Sequence, residues 1–516
     1  MAGPINIDSA KYGFINHLEG QKKMLVVAGG ASVICFALLK FCFPLPDFFV
    51  DSLNYIIWTR SRTVVEYRPI GYSLFLKFLH NNISESITAV VVVHYLLFLL
   101  SSLFCFFSFD YLYGIPQKLR WPAFLLIVFN PILIIQTNLI SSDSLFCSLT
   151  VCWLTACLWI IKQHRWWALV VQIVFLYCSF QVRYTALFFP LVAVIAFVAS
   201  GARIGYKILG IVFTVLVIYV AINKQADAVE KVTGTRVFSG FSGWQLANNV
   251  LYYYKKIKVD TNTLPNTETV VVDRFVRHYI DSVQKNDSIG SVYIWDKVSP
   301  LKMYVYYRSS RDHMKYFPEW VAASVTYSDY ASSIIKGNPM AFLNYFILPN
   351  TKNFFYPEPE MLYNYNCSNT VLDSFAQNWY HFDSKTLSCR YPVLQKNIVR
   401  VYPFFSLLLN VFNIGVIFMF LIWLAPVWRR TPDYIKGLYI TWAVFYFAYF
   451  GFSVFATVVT LRYMDPIYVM GFIVPAVLLG YNRAKLKALA AMARPVVAMP
   501  QQPVKAKKSV PAKRKK

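Results

Sequence analysis

Long apolar runs separated by short polar stretches fill most of the chain. A membrane-spanning helix needs roughly 20 mostly apolar residues. Ten runs approach or reach that length: Met24–Phe43, Ile87–Phe109, Trp121–Ile140, Leu145–Ile161, Trp166–Phe180, Thr185–Ser200, Ile208–Ile222, Phe404–Trp428, Gly437–Val459 and Ile467–Tyr481. Lipid leaves an open backbone unsatisfied, so helix is the expected form of each. The pattern predicts a polytopic α-helical membrane protein with about ten transmembrane helices and an external mixed α/β domain inserted before the last three. The expected parts are an N-terminal membrane module over residues 1–222 with a first external loop at 44–86, the insert at 223–402, a C-terminal membrane part at 403–482, and a basic tail at 483–516 expected to be disordered. The insert is polar, Tyr- and Asn-rich, and too long for a structureless loop. Its segment "NTETVVVDRFVRHYIDSVQ" reads as a short β-branched run followed by a helix.

Charge sets the orientation. Lys22 and Lys23, Lys118 and Arg120, Lys162 and Arg165, Arg203 and Lys207, Arg429 with Arg430 and Lys436, and Arg483 with Lys485 fall on one side if the runs alternate. The positive-inside bias makes that side the cytoplasm, with both termini there. The opposite side receives loop 44–86, the connections "ISSDS", "QVRY" and "TLRYMDP", and the insert.

Composition agrees. Of 516 residues 57% are hydrophobic and 15% charged, against about 25% charged in an ordinary soluble domain. The formal charge of +25 would suggest a nucleic-acid partner in a soluble protein, but the basic residues flank apolar runs, so nucleic acid is not the expected partner. The tail "PVKAKKSVPAKRKK" suits anionic lipid. Seven of nine cysteines lie in the runs; Cys367 and Cys389 fall in polar sequence, where an oxidising compartment would favour a disulfide. "KYGFINHLEGQKK" precedes a run with no small-residue cleavage site, so an anchor rather than a cleaved signal is expected.

Candidate chemistry gathers at the external helix ends. Asp51 opens the first loop in "DSLNY"; Asp47 and Tyr55 lie four residues either side, sharing its face if the stretch is helical. Asp143 ends the third run in "NLISSDSLF", where a carboxylate at the membrane boundary is costly unless paired or functional. The plainer reading makes both acids helix caps. Arg68 in "YRPIGY", Arg183 in "QVRYTALFFP" and Arg462 in "LRYMDP" run against the positive-inside bias. Guanidinium suits bidentate capture of phosphate, although each arginine alone fits lipid-headgroup snorkelling equally well. "FSGWQLANN" (Phe241 to Asn249) either lines a groove or packs inside the insert. "GARIGYKILG" lacks the context of a phosphate loop, and His94 in an apolar run reads as structural. Asn82, Asn286 and Asn366 head Asn-x-Ser triplets, a pattern common by chance.

In order and sidedness these motifs resemble the polyprenyl-phosphate-dependent GT-C glycosyltransferases, the bacterial branch that holds protein mannosyltransferases and the lipid A aminoarabinose transferase. "DSLNY", "RPIGYSLFL", "NPILIIQTNLISSDSLF" with Pro131, Ser142 and Asp143, "VRYTALFFP" and "LRYMDPIY" follow the family order over about the first 200 residues and the last 60. Ser52 stands where a Glu is common, which counts against protein mannosylation in particular, and Glu66 is no simple replacement.

The resemblance implies an inverting glycosyltransferase at a bacterial inner membrane. It would move a sugar from a polyprenyl-phosphate donor to a glycan, lipid or protein acceptor on the periplasmic face. Asp51 would be the base and Asp143 would orient the acceptor. Asp47, Tyr55, Arg68, Arg183, Arg462 and Tyr463 would bind substrate. No cofactor is implied with certainty, and assistance by a divalent metal is left open. Two alternatives stand beside it: a multi-span transporter or flippase, and a non-catalytic assembly protein.

Overall fold

The computed structural model describes residues 13–60, 67–282, 292–383, 385–387, 389–424, 428–429 and 431–492. Among the described residues eight helices are long and apolar enough to cross a membrane: Lys22–Cys42, Ile87–Leu112, Gln117–Thr137, Ser142–Gln163, Ile204–Thr233, Pro392–Ile422, Asp433–Ala456 and Leu461–Tyr481. Two shorter apolar helices, Trp166–Val182 and Tyr184–Ala199, stand at the remaining expected positions. These helices mark an integral membrane protein.

Burial sorts them. The Ser142–Gln163 helix is 89% buried over its apolar window and packs against Ile87–Leu112 and Trp166–Val182, whereas Lys22–Cys42 is 17% buried. The outer helices expose Val26, Val33, Ile34, Ile208, Val212 and Val215, the apolar faces that lipid covers. Gln117–Thr137 breaks ahead of Pro131, which has no N–H to donate and takes the first helical position of the resumed helix. Tyr402 bridges the break: its hydroxyl donates to Asn130 Oδ1 at 2.5 Å and accepts from the Ile132 N–H at 3.2 Å. The backbone opened by proline is thus satisfied inside the bundle.

The expected α/β insert is helical. Among the described residues there are no strands, only three isolated bridges. The segment read as a β-branched run starts the Thr267–Ser282 helix, whose buried positions Thr269, Val272, Asp273, Val276, Tyr279 and Ile280 follow helical spacing. Periodic burial over four turns outweighs a local preference for strand. This helix, with Ser242–Leu251, Pro300–Arg311 and Tyr316–Gly337, encloses a second core around Trp244, Tyr304, Tyr327 and Tyr330.

The described residues between 348 and 402 instead pack onto the membrane core. Asn350, fully buried, donates to the carbonyls of Val454 and Thr457 at 2.7 and 2.6 Å and accepts from the Val459 N–H at 2.8 Å. Glu358 pairs with Thr460 in a parallel bridge. Cys367 and Cys389 are free thiols. The last helix runs on to Met492, so the first ten residues of the expected tail continue it, and the rest lie outside the described residues. Asn366 is 1% exposed and so closed to glycosylation, and Asn286 and Glu66 fall outside the described residues.

Candidate active site

Connections at one end of the bundle bring the candidate residues together. The chain leaves Lys22–Cys42 through Pro44 and Pro46, and Asp47 pairs with Leu139 in a parallel bridge. The helix that follows begins only at Ser52, so Asp47, Asp51 and Tyr55 do not share a helical face. Asp47 turns away from the other candidates. Its carboxylate accepts from the Asn366 N–H at 2.8 Å and from Gln395 Nε2 at 2.9 Å, tying the first loop to the 348–402 segment. Burial pushes the Asp47 carboxyl up to about 6, against these two hydrogen bonds.

Asp51 is buried, and its Oδ2 lies 2.6 Å from Arg68 Nη1 and 3.6 Å from Arg462 Nη1. Asp143 pairs with Arg183, accepts a hydrogen bond from the Ser141 hydroxyl, and lies 3.7 Å from Arg462 Nη1. Arg462 therefore bridges two acids that lie about ninety residues apart along the chain and that the sequence placed at external helix ends. The capping reading fails for Asp143, because Ser141 is the cap of its helix and accepts from the Asp143 N–H at 3.4 Å. Snorkelling fails for the arginines too: the side chains of Arg68, Arg183 and Arg462 are 21%, 18% and 12% exposed and all ion-paired. Burial opposes the charge on Arg68, but the Asp51 carboxylate outweighs it, and the guanidinium holds its proton more tightly than usual.

Aromatic rings back the guanidinium groups. The Tyr463 ring centroid lies 5.0 Å from Arg183 and 5.1 Å from Arg462, and Phe49 lies 4.5 Å from Arg462. The Tyr55 hydroxyl meets Ser142 Oγ at 3.2 Å. Gly71 makes the junction possible: a Cβ there would sit 2.4 Å from the carbonyl oxygen of Gln181, two residues before Arg183. Only glycine lets the chain just after Arg68 approach the end of the Trp166–Val182 helix so closely.

These groups border a cavity of about 440 Å³. Arg68, Asp143, Arg183, Arg462, Tyr463 and Tyr55 lie on its wall, with Phe238, Phe241, Phe452, Phe455 and Leu187 supplying an apolar part. Asp51 is not on the wall and stands behind Arg68 and Arg462. The "FSGWQLANN" segment divides: Trp244, Ala247 and Asn249 are buried, whereas Phe241, Ser242, Gln245 and Leu246 face the cavity. His94 is buried with Nδ1 3.3 Å from the Thr137 carbonyl, a structural role.

Three residues escaped sequence reasoning. Glu360 reaches Arg462 Nε at 3.6 Å, and burial pushes its carboxyl up. No motif in its surroundings pointed to it. Asp465 lies on the cavity wall, and Gln136 Nε2 donates to its Oδ1 at 2.7 Å. Both stand inside stretches quoted for other residues, and an acid just before Pro466 at a span boundary was the available signal. Among the described residues no group of three or more His, Cys, Asp or Glu side chains is arranged to hold a metal.

No family model matches this chain, and neither does any curated protein or solved structure.

Proposed function

We propose that this protein is an integral-membrane inverting glycosyltransferase. It takes a sugar from a polyprenyl-phosphate donor and passes it to an acceptor hydroxyl at the periplasmic face of a bacterial inner membrane, both termini being cytoplasmic. The observation that carries this reading is the convergence of Arg68, Arg183 and Arg462 on one wall of a cavity whose remaining wall is partly apolar. Departure of a sugar from phosphate leaves negative charge on the phosphate oxygens, and preorganised guanidinium groups in a water-poor site stabilise that charge best. The apolar part, from Leu187 to Phe455, suits the isoprenoid portion of such a donor. The order of the motifs along the chain resembles that of the GT-C family, whose chemistry this reading follows.

Asp51 and Asp143 have a definite part in this arrangement. They hold the three guanidinium groups in place before substrate arrives, so that the cations need not reorganise at the moment of reaction. A transporter would place its ionisable groups near the middle of the spans. Here they sit at helix ends, which favours the enzyme. The test is incubation of the purified chain in proteoliposomes with undecaprenyl-phosphate hexoses and extracted cell-envelope material. Release of undecaprenyl phosphate, abolished by Arg183→Met, is the expected result. Movement of intact donor across the bilayer without cleavage would replace the enzyme with a flippase.

A further inference from the structure

The base for this reaction has to be a carboxylate that faces the cavity with a lone pair to offer. Asp51, the candidate by motif, is behind the arginines. Asp143 is on the wall, but Ser141, Arg183 and Arg462 surround it. A carboxylate already saturated by cations and donors is a poor proton acceptor.

Asp465 is different. It is 2% exposed, on the cavity wall, and its Oδ1 is anchored by Gln136 Nε2. No hydrogen-bond donor among the described residues reaches its Oδ2. Buried polar atoms are satisfied in the great majority of cases, so an unsatisfied one beside a cavity points to a donor brought by a ligand. Gln136, itself 1% exposed, sets the rotation of the carboxylate and thereby the direction of Oδ2. Gln136 is a positioning residue on this account.

We infer that Asp465, rather than Asp51, receives the proton of the acceptor hydroxyl; this rests on the reaction proposed above. The acceptor oxygen bonds to the anomeric carbon as the bond from that carbon to the donor phosphate oxygen breaks. The electron pair of the broken bond leaves on polyprenyl phosphate, facing the guanidinium groups. The hydroxyl proton passes to Asp465 Oδ2, and nothing is oxidised or reduced.

The experiment uses the full chain, undecaprenyl-phosphate glucose, mannose, galactose and arabinose as donors, and cell-envelope extract as acceptor. Farnesyl phosphate binding serves as the check on folding. Positioned base catalysis is worth about 10²–10⁴-fold, so Asp465→Asn is expected to lower kcat by that factor. Donor KM and the farnesyl phosphate Kd should stay within about threefold, since a neutral isostere leaves the phosphate wall untouched. Azide, a nucleophile with no proton to lose, should restore turnover in Asp465→Asn and yield the glycosyl azide, a response that a merely structural role would not produce. Asp465→Glu, which keeps a carboxylate, should retain part of kcat without any response to azide. The inference is overturned if Asp465→Asn keeps more than a tenth of kcat, if azide leaves it inactive while farnesyl phosphate still binds, or if azide rescues Asp51→Asn instead. Should Asp465→Asn not fold, a response of Asp465→Glu to azide overturns it equally. A wild-type chain that neither binds farnesyl phosphate nor cleaves any donor removes the glycosyltransferase reading itself, and this inference with it.

Discussion

Replacing Arg462 with Met is the sharpest probe of the charge cluster, because this guanidinium alone among the described cations touches both Asp51 and Asp143. The side chain is 12% exposed and also lies 3.6 Å from Glu360. Each contact near 4 Å is a gross attraction of about 4 kcal/mol at an effective dielectric of 20, offset by the cost of desolvating the guanidinium. Removing one member of a buried ion pair typically costs about 3–5 kcal/mol, because its partner is left uncompensated. Asp51 keeps Arg68 at 2.6 Å and Asp143 keeps Arg183, so the loss should fall at the lower end, about 3 kcal/mol. Met retains an apolar stem but loses the guanidinium that lies over the Phe49 ring. The first assay is thermal unfolding in detergent at a fixed scan rate, with Asp51→Asn made in both backgrounds. A cycle should show Asp51 and Arg462 coupled by at least about 0.5 kcal/mol. The second assay is farnesyl phosphate binding by calorimetry. A charge-assisted hydrogen bond is worth about 1.5–3 kcal/mol, so the Kd should rise roughly 10- to 100-fold. A folded Arg462→Met variant with farnesyl phosphate affinity within threefold of wild type would refute the phosphate assignment, and additive Asp51 and Arg462 effects would refute the coupling.

Two further outcomes follow from the same geometry. With its folded value near 6 and its ordinary value at 3.8, Asp47 favours the folded state below about pH 4, and that contribution disappears as pH rises through 6. The difference is on the order of 3 kcal/mol, so wild type should lose more thermal stability between pH 4.5 and 7 than Asp47→Asn, and parallel pH profiles would contradict it. Gly71→Ala places a methyl group 2.4 Å from the Gln181 carbonyl oxygen; overpacking of this kind costs about 1–3 kcal/mol, and by separating Arg68 from Arg183 it should also weaken farnesyl phosphate binding, whereas wild-type Tm and Kd would show that the contact gives way freely.

Much of the fold was legible in one dimension. Ten apolar runs became, among the described residues, eight long and two shorter helices, because helix satisfies the backbone of such a run within lipid. The insert was misread at Val270–Val272, where three β-branched residues suggested strand. The deciding burial pattern, Val272, Val276 and Ile280 on one face, exists only against Trp244 and its neighbours in the second core. Arg68, Arg183, Arg462, Asp51 and Asp143 stood out in sequence as charges at helix ends, where hydrophobic surroundings make charge conspicuous. Their partners did not stand out. That Asp47 serves as a tie to Asn366 and Gln395, that Asp51 lies behind the arginines, and that Glu360 reaches Arg462 across about a hundred residues depend on which loops meet at one end of the bundle.

Sequence by itself therefore determined the membrane class, the helices and the residues that had to be explained. Composition and period act locally, and lipid allows them few outcomes. Tertiary structure alone decided which carboxylates are saturated by guanidinium and which, like Asp465, line a cavity with one buried oxygen unpartnered among the described residues. Hydrogen bonding and ion pairing act over about 3–4 Å, and no spacing along the chain states which residues come that close.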